Sequence, residues 1–515
     1  MKSRERHSLE LPIGSNTPIH HHEDTMQHWE KWQYLVPRWS SPELSSIVST
    51  TATASVVSQQ DKHCEWDDEH DEEKTIGDTD HDHHMNEVEK KALISLCKSL
   101  MLYGAPCHRI EEALEHVSKA LSLHATFIFI PGIMMMTFYN TPIDESTTTT
   151  PLFPWQQCYC HSQTILVQCP QGFDMGKLTK VNRIIQRMCL KQEEEHHMSV
   201  VQSIQSLQEI FQAKPTWNAW ITLLSYTLSS LFTSLIMFHG TLIDTALSGA
   251  LGLLVGLLIL LSERYTAYCN IFEISTTVLI AFIAKALDQW ICFTGVVLSA
   301  TSILIPGYTL TMSIMELSAR HVITGTVRFV YAMIYALFIG YGLEIGTSLY
   351  EAVDAHSSPS VFDVCKGHAP SWLHICLFPL MAISMSINLG ATMRQWPSMV
   401  CCSAIGFGVS VLSSKVIANF QIVGTISAFS VGLFGNFYFK LTGDLALVPL
   451  SCGIASLVPG SIGIQGAYFL IRQDDQGISF ATQMVVASLG IAVGLFAATL
   501  AVSASERKRA AYLSY

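Results

Sequence analysis

The sequence predicts a polytopic α-helical membrane protein of about ten transmembrane helices, arranged as two inverted five-helix repeats and preceded by a small cytosolic α/β domain. The chain of 515 residues is 49% hydrophobic and only 14% charged, whereas soluble domains usually carry about 25% charged residues. The charged residues are concentrated before residue 215, and long apolar runs follow. Two Pro-Gly pairs occupy matching places in the two halves of the apolar part.

Residues 1–85 have the composition of a disordered, acidic and His-rich tail. Between Asp61 and Lys90 there are 13 acidic and 3 basic side chains, which account for most of the formal net charge of -12. The stretches His20-His21-His22 and HDHHM at 81–85 can bind zinc weakly, although such tracts are more often solvated tails. This acidic balance argues against a nucleic-acid partner, which would need a basic surface. The N-terminus has no apolar core typical of a signal peptide, so we expect the first transmembrane helix to direct insertion.

Residues 86–214 show the periodicity of a small folded α/β domain. Apolar residues at helical spacing predict two helices separated at Gly104-Ala105-Pro106. The stretch ATFIFIPGIMMMTFY predicts two strands joined by a turn at Pro131-Gly132, and SQTILVQC predicts a third strand. Two amphipathic helices then follow, while the insert at 140–155 is expected to be a loop.

The 14 cysteines form no metal-binding pattern. One Cys158-x-Cys160 motif is followed by His161, but a structural zinc site normally needs four ligands. We therefore expect Cys158 and Cys160 to be ordinary reduced thiols of a cytosolic domain, and the sequence predicts no metal site and no cofactor.

Ten apolar segments are long enough, or nearly so, to cross a bilayer core of about 30 Å. Five fall in the first membrane half, 215–350, and five in the second, 351–515, which ends in a basic tail. The segments lie near 217–238, 242–261, 271–287, 290–306, 323–345, 371–390, 398–414, 417–437, 443–461 and 481–503. Pairs of glycines four residues apart in several of them are expected to allow close helix packing.

The charges in the loops predict the orientation. With the N-terminal domain in the cytosol, most loop cations fall on that side, as the positive-inside rule requires. These cations are Arg264, Arg320, Arg394, Lys440 and the tail residues Arg507, Lys508 and Arg509. Both termini are therefore expected to be cytosolic.

The Pro-Gly pairs, Pro306-Gly307 and Pro459-Gly460, are predicted to end the fourth helix of each set of five. Because five is an odd number, the two sets must enter the membrane in opposite orientations. A helix broken inside the protein frees backbone carbonyls that a substrate or ion can use. The alternative is that these prolines only terminate helices at the membrane interface.

Ionisable residues within apolar spans are the candidates for a substrate and proton pathway, because burying them in a membrane is costly. Glu273 and Glu316 are the strongest, since a carboxylate can take up a proton or pair with a substrate ammonium. Asp244 is also a candidate, and Asn388 can hydrogen-bond either a substrate or a neighbouring helix. The alternative for each carboxylate is a position at the water interface.

Two motifs of enzymes are missing from the sequence. There is no GxxxxGK[ST] loop and no HExxH motif, which argues against an ATP-driven pump and against a zinc protease of that type. We expect that the protein is not an enzyme.

The order of motifs resembles that of the threonine/serine exporter family. The stretch LCKSLMLYGAPCHRIEEALEHVSKALSLHATFIFIPGIMMMTF, with Arg109, Glu111 and Pro131, is similar to the family's N-terminal signature. ILIPGYTLTMSIMELSARHVITGTVRF resembles its Pro-Gly segment, and SLVPGSIGIQGAYFL resembles its C-terminal module. The resemblance covers residues 88–503, and the acidic extension resembles the fungal branch, the pheromone-regulated membrane protein type.

The resemblance implies a secondary transporter in the lipid bilayer that exports amino acids such as threonine or serine, driven by protons. It assigns no site residues, and homo-oligomer formation stays open. Two alternatives remain: a membrane sensor or adaptor whose domain at 86–214 binds a partner, and a metal carrier supplied by the His-rich tail. The predicted pathway consists of Asp244, Glu273, Pro306, Gly307, Glu316, Asn388, Pro459 and Gly460.

Overall fold

The computed structural model describes residues 79–139, 162–190, 198–354, 365, 367, 371–458, 460–472 and 476–503. The predicted tail up to residue 78, most of the insert with Cys158 and Cys160, and Pro459 lie outside these residues. The first part contains four helices and three strands: α1 (Thr79–Leu102), α2 (Cys107–Ala120), β1 (Ala125–Ile130), β2 (Ile133–Tyr139), β3 (Ser162–Gln168), α3 (Met175–Met188) and α4 (Val200–Gln212). We call residues 79–212 the N-terminal unit.

The three strands of the N-terminal unit form an antiparallel sheet in the order β1-β2-β3. Strand β2 alternates between buried and half-buried residues, and Met134, Met136 and Phe138 point into the core beneath the helices. These helices and strands lie where the apolar pattern predicts them. Helix α1 differs at its start, because it begins at Thr79 and so includes the HDHHM stretch that was expected in the tail.

Thirteen helices follow in the described residues after 212. They are α5 (Ala219–Met237), α6 (Leu242–Arg264), α7 (Thr266–Cys269), α8 (Phe272–Ala286), α9 (Phe293–Ala300), α10 (Gly307–Ser318), α11 (Val322–Val353), α12 (Ser371–Asn388), α13 (Trp396–Ser414), α14 (Phe420–Thr442), α15 (Leu447–Leu457), α16 (Gly460–Ile471) and α17 (Gln476–Ser503).

Six of the described helices are long and apolar enough to cross a membrane: α5, α6, α11, α13, α14 and the 482–502 part of α17. Helices α15 and α16, bent by 42° at a short break, make a seventh if they count as one span. The protein is therefore a polytopic α-helical membrane protein. The remaining helices are shorter, and α9 and α10 have only 8 and 12 residues, so the number of ten spans stays a prediction.

The first Pro-Gly pair begins a helix, and the prediction that it ends one is wrong. Helix α9 stops at Ala300, and Pro306 is the residue before the first turn of α10, which starts at Gly307. Proline is well tolerated there because the first turn of a helix leaves its N–H groups unpaired anyway. Likewise, Gly460 is the first residue of α16 rather than the end of α15. The apolar pattern locates both breaks but misses the helix that continues beyond each.

The helices of the two halves pack in the same pattern. In the first half α5 packs on α6, α8 on α11, α10 on α11, and α9 on both α5 and α6. In the second half α12 packs on α13, α14 on α17, α16 on α17, and α15 on both α12 and α13. The contacts between the halves are reciprocal, since α11 packs on α16 and α17 packs on α10.

Glycine pairs bring equivalent helices together in both halves. On α11, Gly342 and Gly346 face α8, and a Cβ at Gly346 would lie 2.7 Å from the Cβ of Ala281. On α17, Gly490 and Gly494 face α14 in the same way. The expectation that these pairs serve close helix packing is confirmed.

The N-terminal unit packs against the loops at one end of the helix bundle. The backbone N–H of Met175 donates to the carbonyl of Leu389 at 3.0 Å, and Arg183 pairs with Asp444 at 3.0 Å. Apolar residues of α12, α13 and α15 join the core of the unit. The unit and the bundle thus share one continuous apolar core.

A test of the helix packing is the substitution Gly346→Ala. The added methyl group overlaps α8, so we expect a loss of about 1–3 kcal/mol in the free energy of unfolding, measured by denaturant unfolding in mixed micelles. Gly424→Ala on α14 is the matched control, because nothing lies within 4 Å of its Cβ position. It should be neutral or stabilise the helix by up to about 1 kcal/mol. Equal effects of the two substitutions would contradict the close α8–α11 contact.

Candidate functional site

A cavity of about 110 Å³ lies between the N-terminal unit and helices α10 and α11. Three chain breaks with Pro or Gly meet there: the α1–α2 break, the β1–β2 turn and the start of α10. The lining residues are Gly104, Ala105, Pro106, Pro131, Gly132, Gln171, Gly172, Phe173, Tyr308, Thr309, Met312, Val327, Arg328 and Tyr331. The motifs from distant parts of the sequence therefore come together around one space.

Two of these breaks depend on glycine. Gly104 has φ +91° and Gly132 has φ +80°, the left-handed region that other residues rarely adopt. A Cβ at Gly104 would also lie 2.6 Å from the carbonyl oxygen of Gly172. Glycine at these positions lets the backbone turn sharply and brings the wall segments close together.

A buried ion pair lies directly behind the cavity wall. Glu316, near the end of α10, is fully buried, and Oε1 of its carboxylate accepts a hydrogen bond from Nη1 of Arg328 at 2.6 Å. The other terminal nitrogen of Arg328 donates to the side-chain oxygen of Gln171. Because Arg328 lines the cavity, it connects the buried carboxylate to the open space.

The N-terminal unit supplies a further donor to this carboxylate. The backbone N–H of Cys107, the first residue of α2, donates to Oε1 of Glu316 at 3.3 Å. A helix N-terminus favours a negative charge, so α2 helps to stabilise the anion. The second oxygen, Oε2, has no hydrogen-bond partner among the described residues. One oxygen of the Glu316 carboxylate is therefore left for a further hydrogen-bond donor.

A second set of polar contacts joins the N-terminal unit to the loop between α10 and α11. Glu111 accepts a hydrogen bond from the backbone of Phe129 at 2.9 Å and lies 3.5 Å from Nδ1 of His321. Burial raises the pKa of the Glu111 carboxyl, and Thr324 donates to the Phe129 carbonyl at 3.2 Å. Glu111 of the N-terminal signature thus holds this interface together.

His108 lies half-buried beside this interface. Burial, followed by the nearby Arg109 guanidinium, lowers the pKa of His108 to about 3. The imidazole is therefore neutral near pH 7, and its ring lies 6.1 Å from that of His321.

Of the predicted pathway residues, Gly307 begins the helix that forms the cavity wall, Pro306 precedes it, and Glu316 lies behind the wall. Glu273 lies in the first turn of α8, close enough to Tyr331 of the cavity wall to interact electrostatically. The structure therefore brings Glu273 and Glu316 to two sides of the same region of α11.

The other predicted residues lie elsewhere. Asp244 caps α6, where it accepts hydrogen bonds from Thr241 and from the backbone of Cys292 at 2.8 Å. Asn388 ends α12 and accepts a hydrogen bond from Ser225 of α5. Gly460 begins α16, which packs against α10, α11 and α17. None of these three is among the residues that line the cavity.

Sequence reasoning missed the contacts that build this site. Arg328 stands out as a charge inside an apolar stretch, but its partner Gln171 is 157 positions away and Cys107 is 209 positions from Glu316. No local pattern indicates such pairs. Within the described residues, no group of three or more His, Cys, Asp or Glu side chains is arranged to hold a metal ion.

The fold and the cavity define a polytopic membrane protein with a polar site between a folded unit and its helix bundle. The chain belongs to the threonine/serine exporter family, a family of membrane transporters, whose sequence profile matches residues 91–350.

Fungal proteins are similar over most of the chain. The pheromone-regulated membrane protein 10 of Kluyveromyces lactis is 30% identical over 445 residues, covering 82% of this chain and 44% of that protein. The protein of the same name from Eremothecium gossypii is 30% identical over 441 residues, covering 81% and 56%. The chain spans about half the length of these relatives. No solved structure matches it.

A test of the buried pair is the substitution Arg328→Met. It leaves the Glu316 carboxylate buried without its counter-charge, so we expect a loss of about 3–5 kcal/mol in the free energy of unfolding. Adding Glu316→Gln should recover most of this loss. Arg183→Met is the control, because it removes a half-exposed ion pair that contributes about 0–1 kcal/mol. Similar effects of the two arginine substitutions in denaturant unfolding would contradict the buried pair.

The lowered pKa of His108 predicts that the stability of the fold depends on pH. The folded state resists protonation of His108, whereas an unfolded histidine titrates near about 6.5. Stability should therefore fall as the pH drops below that value, because the unfolded state then binds more protons. His108→Leu should flatten the decline in melting temperature between about pH 6.5 and 4.5. The control is His124→Leu, which changes an exposed histidine and should leave the decline as steep as before. An unchanged slope in His108→Leu would show that His108 does not cause the pH dependence.

Proposed function

We propose that the chain is a secondary transporter that exports small polar solutes, namely amino acids such as threonine or serine, in exchange for protons. Family membership supports transport across a membrane. The proposal of solute exchange for protons rests on the buried Glu316–Arg328 pair. This pair lies behind a cavity where the N-terminal unit meets the start of α10.

The matched packing of the two halves supports ten spans in two inverted repeats. In this arrangement α9 with α10 forms the fourth span and α15 with α16 forms the ninth. Each half then contains five crossings, which gives the halves opposite orientations. Broken helices at the interface of such repeats are a recurrent way to build a transport site.

The cavity suits one end of an amino acid. Its volume of about 110 Å³ is several times the roughly 10–15 Å³ that one water needs. The Arg328 guanidinium on its wall can pair with a carboxylate, and the dipole at the N-terminus of α10 favours the same charge. The carboxylate of the solute would bind here.

Glu316 supplies a mechanism for the exchange. Its Oε2 can take either a proton or the ammonium group of a solute, but not both at once. Competition at one oxygen is what exchange of solute for protons requires, and a buried carboxylate is where intramembrane proton transfer is usually found. Glu273, beside Tyr331, is the second candidate for this proton.

The test is the flux of labelled threonine and serine in reconstituted vesicles, with and without a pH gradient. The wild-type chain should show saturable flux that collapses without the gradient. Glu316→Gln should reduce the pH-driven flux by about tenfold or more, because a hydrogen bond to a charged group contributes about 1.5–3 kcal/mol.

Glu115→Gln is the control, because Glu115 is exposed and pairs with Lys119, and it should transport normally. Unchanged flux in folded Glu316→Gln protein would remove Glu316 from the mechanism. Vesicles with folded wild-type protein and no flux of either amino acid would show that the substrate is different.

A further inference from the structure

Cys292 and Cys365 form a disulfide, with their Cα atoms 5.7 Å apart. Nine other cysteines in the described residues are free. The bond joins the start of α9, the first helix of a broken pair, to the segment between the two halves of the bundle. Among the described cysteines, disulfide pairing is thus confined to two residues separated by 73 positions.

Neighbouring residues hold both partners in place. The backbone N–H of Cys292 donates to Oδ1 of Asp244 at 2.8 Å, and Gly367, two residues after Cys365, donates to the carbonyl of His239 at 3.0 Å. Gly295 leaves room for the bond, because a Cβ there would lie 2.8 Å from the Cys365 sulfur. The two thiols are therefore brought together by the fold.

This disulfide lies at the end of the bundle away from the N-terminal unit. Helix α5 starts beside the unit, where Thr216 donates to Asp174 at 3.1 Å. It runs for 19 residues, which at 1.5 Å per residue is about 28 Å. His239, which Gly367 contacts, comes just after its far end. About one helix length therefore separates the disulfide from the N-terminal unit.

We infer that Cys292–Cys365 is a disulfide of the protein in the cell, that its face of the bundle lies in an oxidising compartment, and that the N-terminal unit lies in the cytosol. The bond forms when the two thiols lose two protons and two electrons to a disulfide-bearing oxidoreductase, which is reduced to its dithiol. Such bonds persist outside the cytosol, because the cytosol keeps thiols reduced.

The charges of the loops support the same orientation through the positive-inside rule, which is independent of thiol chemistry. Helix α6, 23 residues long, has Asp244 in its first turn at the disulfide face and ends at Arg264. Arg320 and Arg394 likewise follow helices that end at the N-terminal unit. These three arginines are thus located at the face that the inference assigns to the cytosol. The inference does not depend on which solute is transported.

The first experiment counts the disulfide in the full chain, in membranes from a eukaryotic host. Free thiols are blocked with N-ethylmaleimide in denaturant, and the sample is then reduced and labelled with a polyethylene-glycol maleimide. The wild-type chain should gain two labels, and Cys292→Ser should gain none. Cys376→Ser, which removes an exposed free thiol, should still gain two. A wild-type chain that gains no label overturns the inference without any need for a variant.

The second experiment tests the compartment in sealed vesicles with the cytosolic face outward. A charged phosphine that cannot cross the membrane should leave the disulfide intact until detergent opens the vesicles. Added protease should cleave the N-terminal region in the same intact vesicles. Reduction of the bond before detergent is added, or protection of the N-terminal region, would overturn the orientation. Neither readout measures transport, so the proposed function can fail while this inference stands.

Discussion

The carboxylate of Glu316 has no exposure to solvent, and the architecture around the cavity depends on neutralising it. A buried charge without a partner is strongly destabilising. Its counter-charge comes from Arg328 on α11 and its further hydrogen bond from the start of α2. Gln171 holds the other side of Arg328. One buried group therefore fixes α10, α11 and the N-terminal unit relative to each other.

The broken helices follow from a related constraint. Backbone groups freed at a break must be satisfied by protein wherever lipid replaces water. At the start of α10 the N-terminal unit takes the place of lipid, with the ring of Phe173 packed edge-on against Tyr308 at 5.7 Å. The cavity lies in the remaining space, and the turns at Gly104 and Gly132 form part of its wall. The N-terminal unit that covers the helix break therefore also encloses the cavity beside it.

Local patterns in the sequence predict much of this fold but little of the site. Helical and strand periodicity locate the elements of the N-terminal unit, because each buries one face against a neighbour. Periodicity also locates the break at Pro306, but it cannot show that α10 continues beyond it. The pairing of Glu316 with Cys107, and of Cys292 with Cys365, depends on how distant segments pack. Such contacts leave no trace in local spacing, so the candidate carboxylate could be named while its partners could not.

The shared core bears on the choice between a transporter and a membrane-anchored adaptor. An adaptor needs a folded unit that can bind a partner independently of its anchor. Here apolar residues of the N-terminal unit, such as Met175 and Leu178, belong to one buried cluster with Met399 and Val448 of the bundle. Separating the two parts would expose this surface at a cost of about 25 cal/mol per Å², besides uncovering Glu316. The unit is therefore an integral part of the bundle, and in the proposed transporter any movement of one half against the other must either carry the unit along or exchange its contacts. That is the arrangement expected when the unit takes part in opening and closing the site.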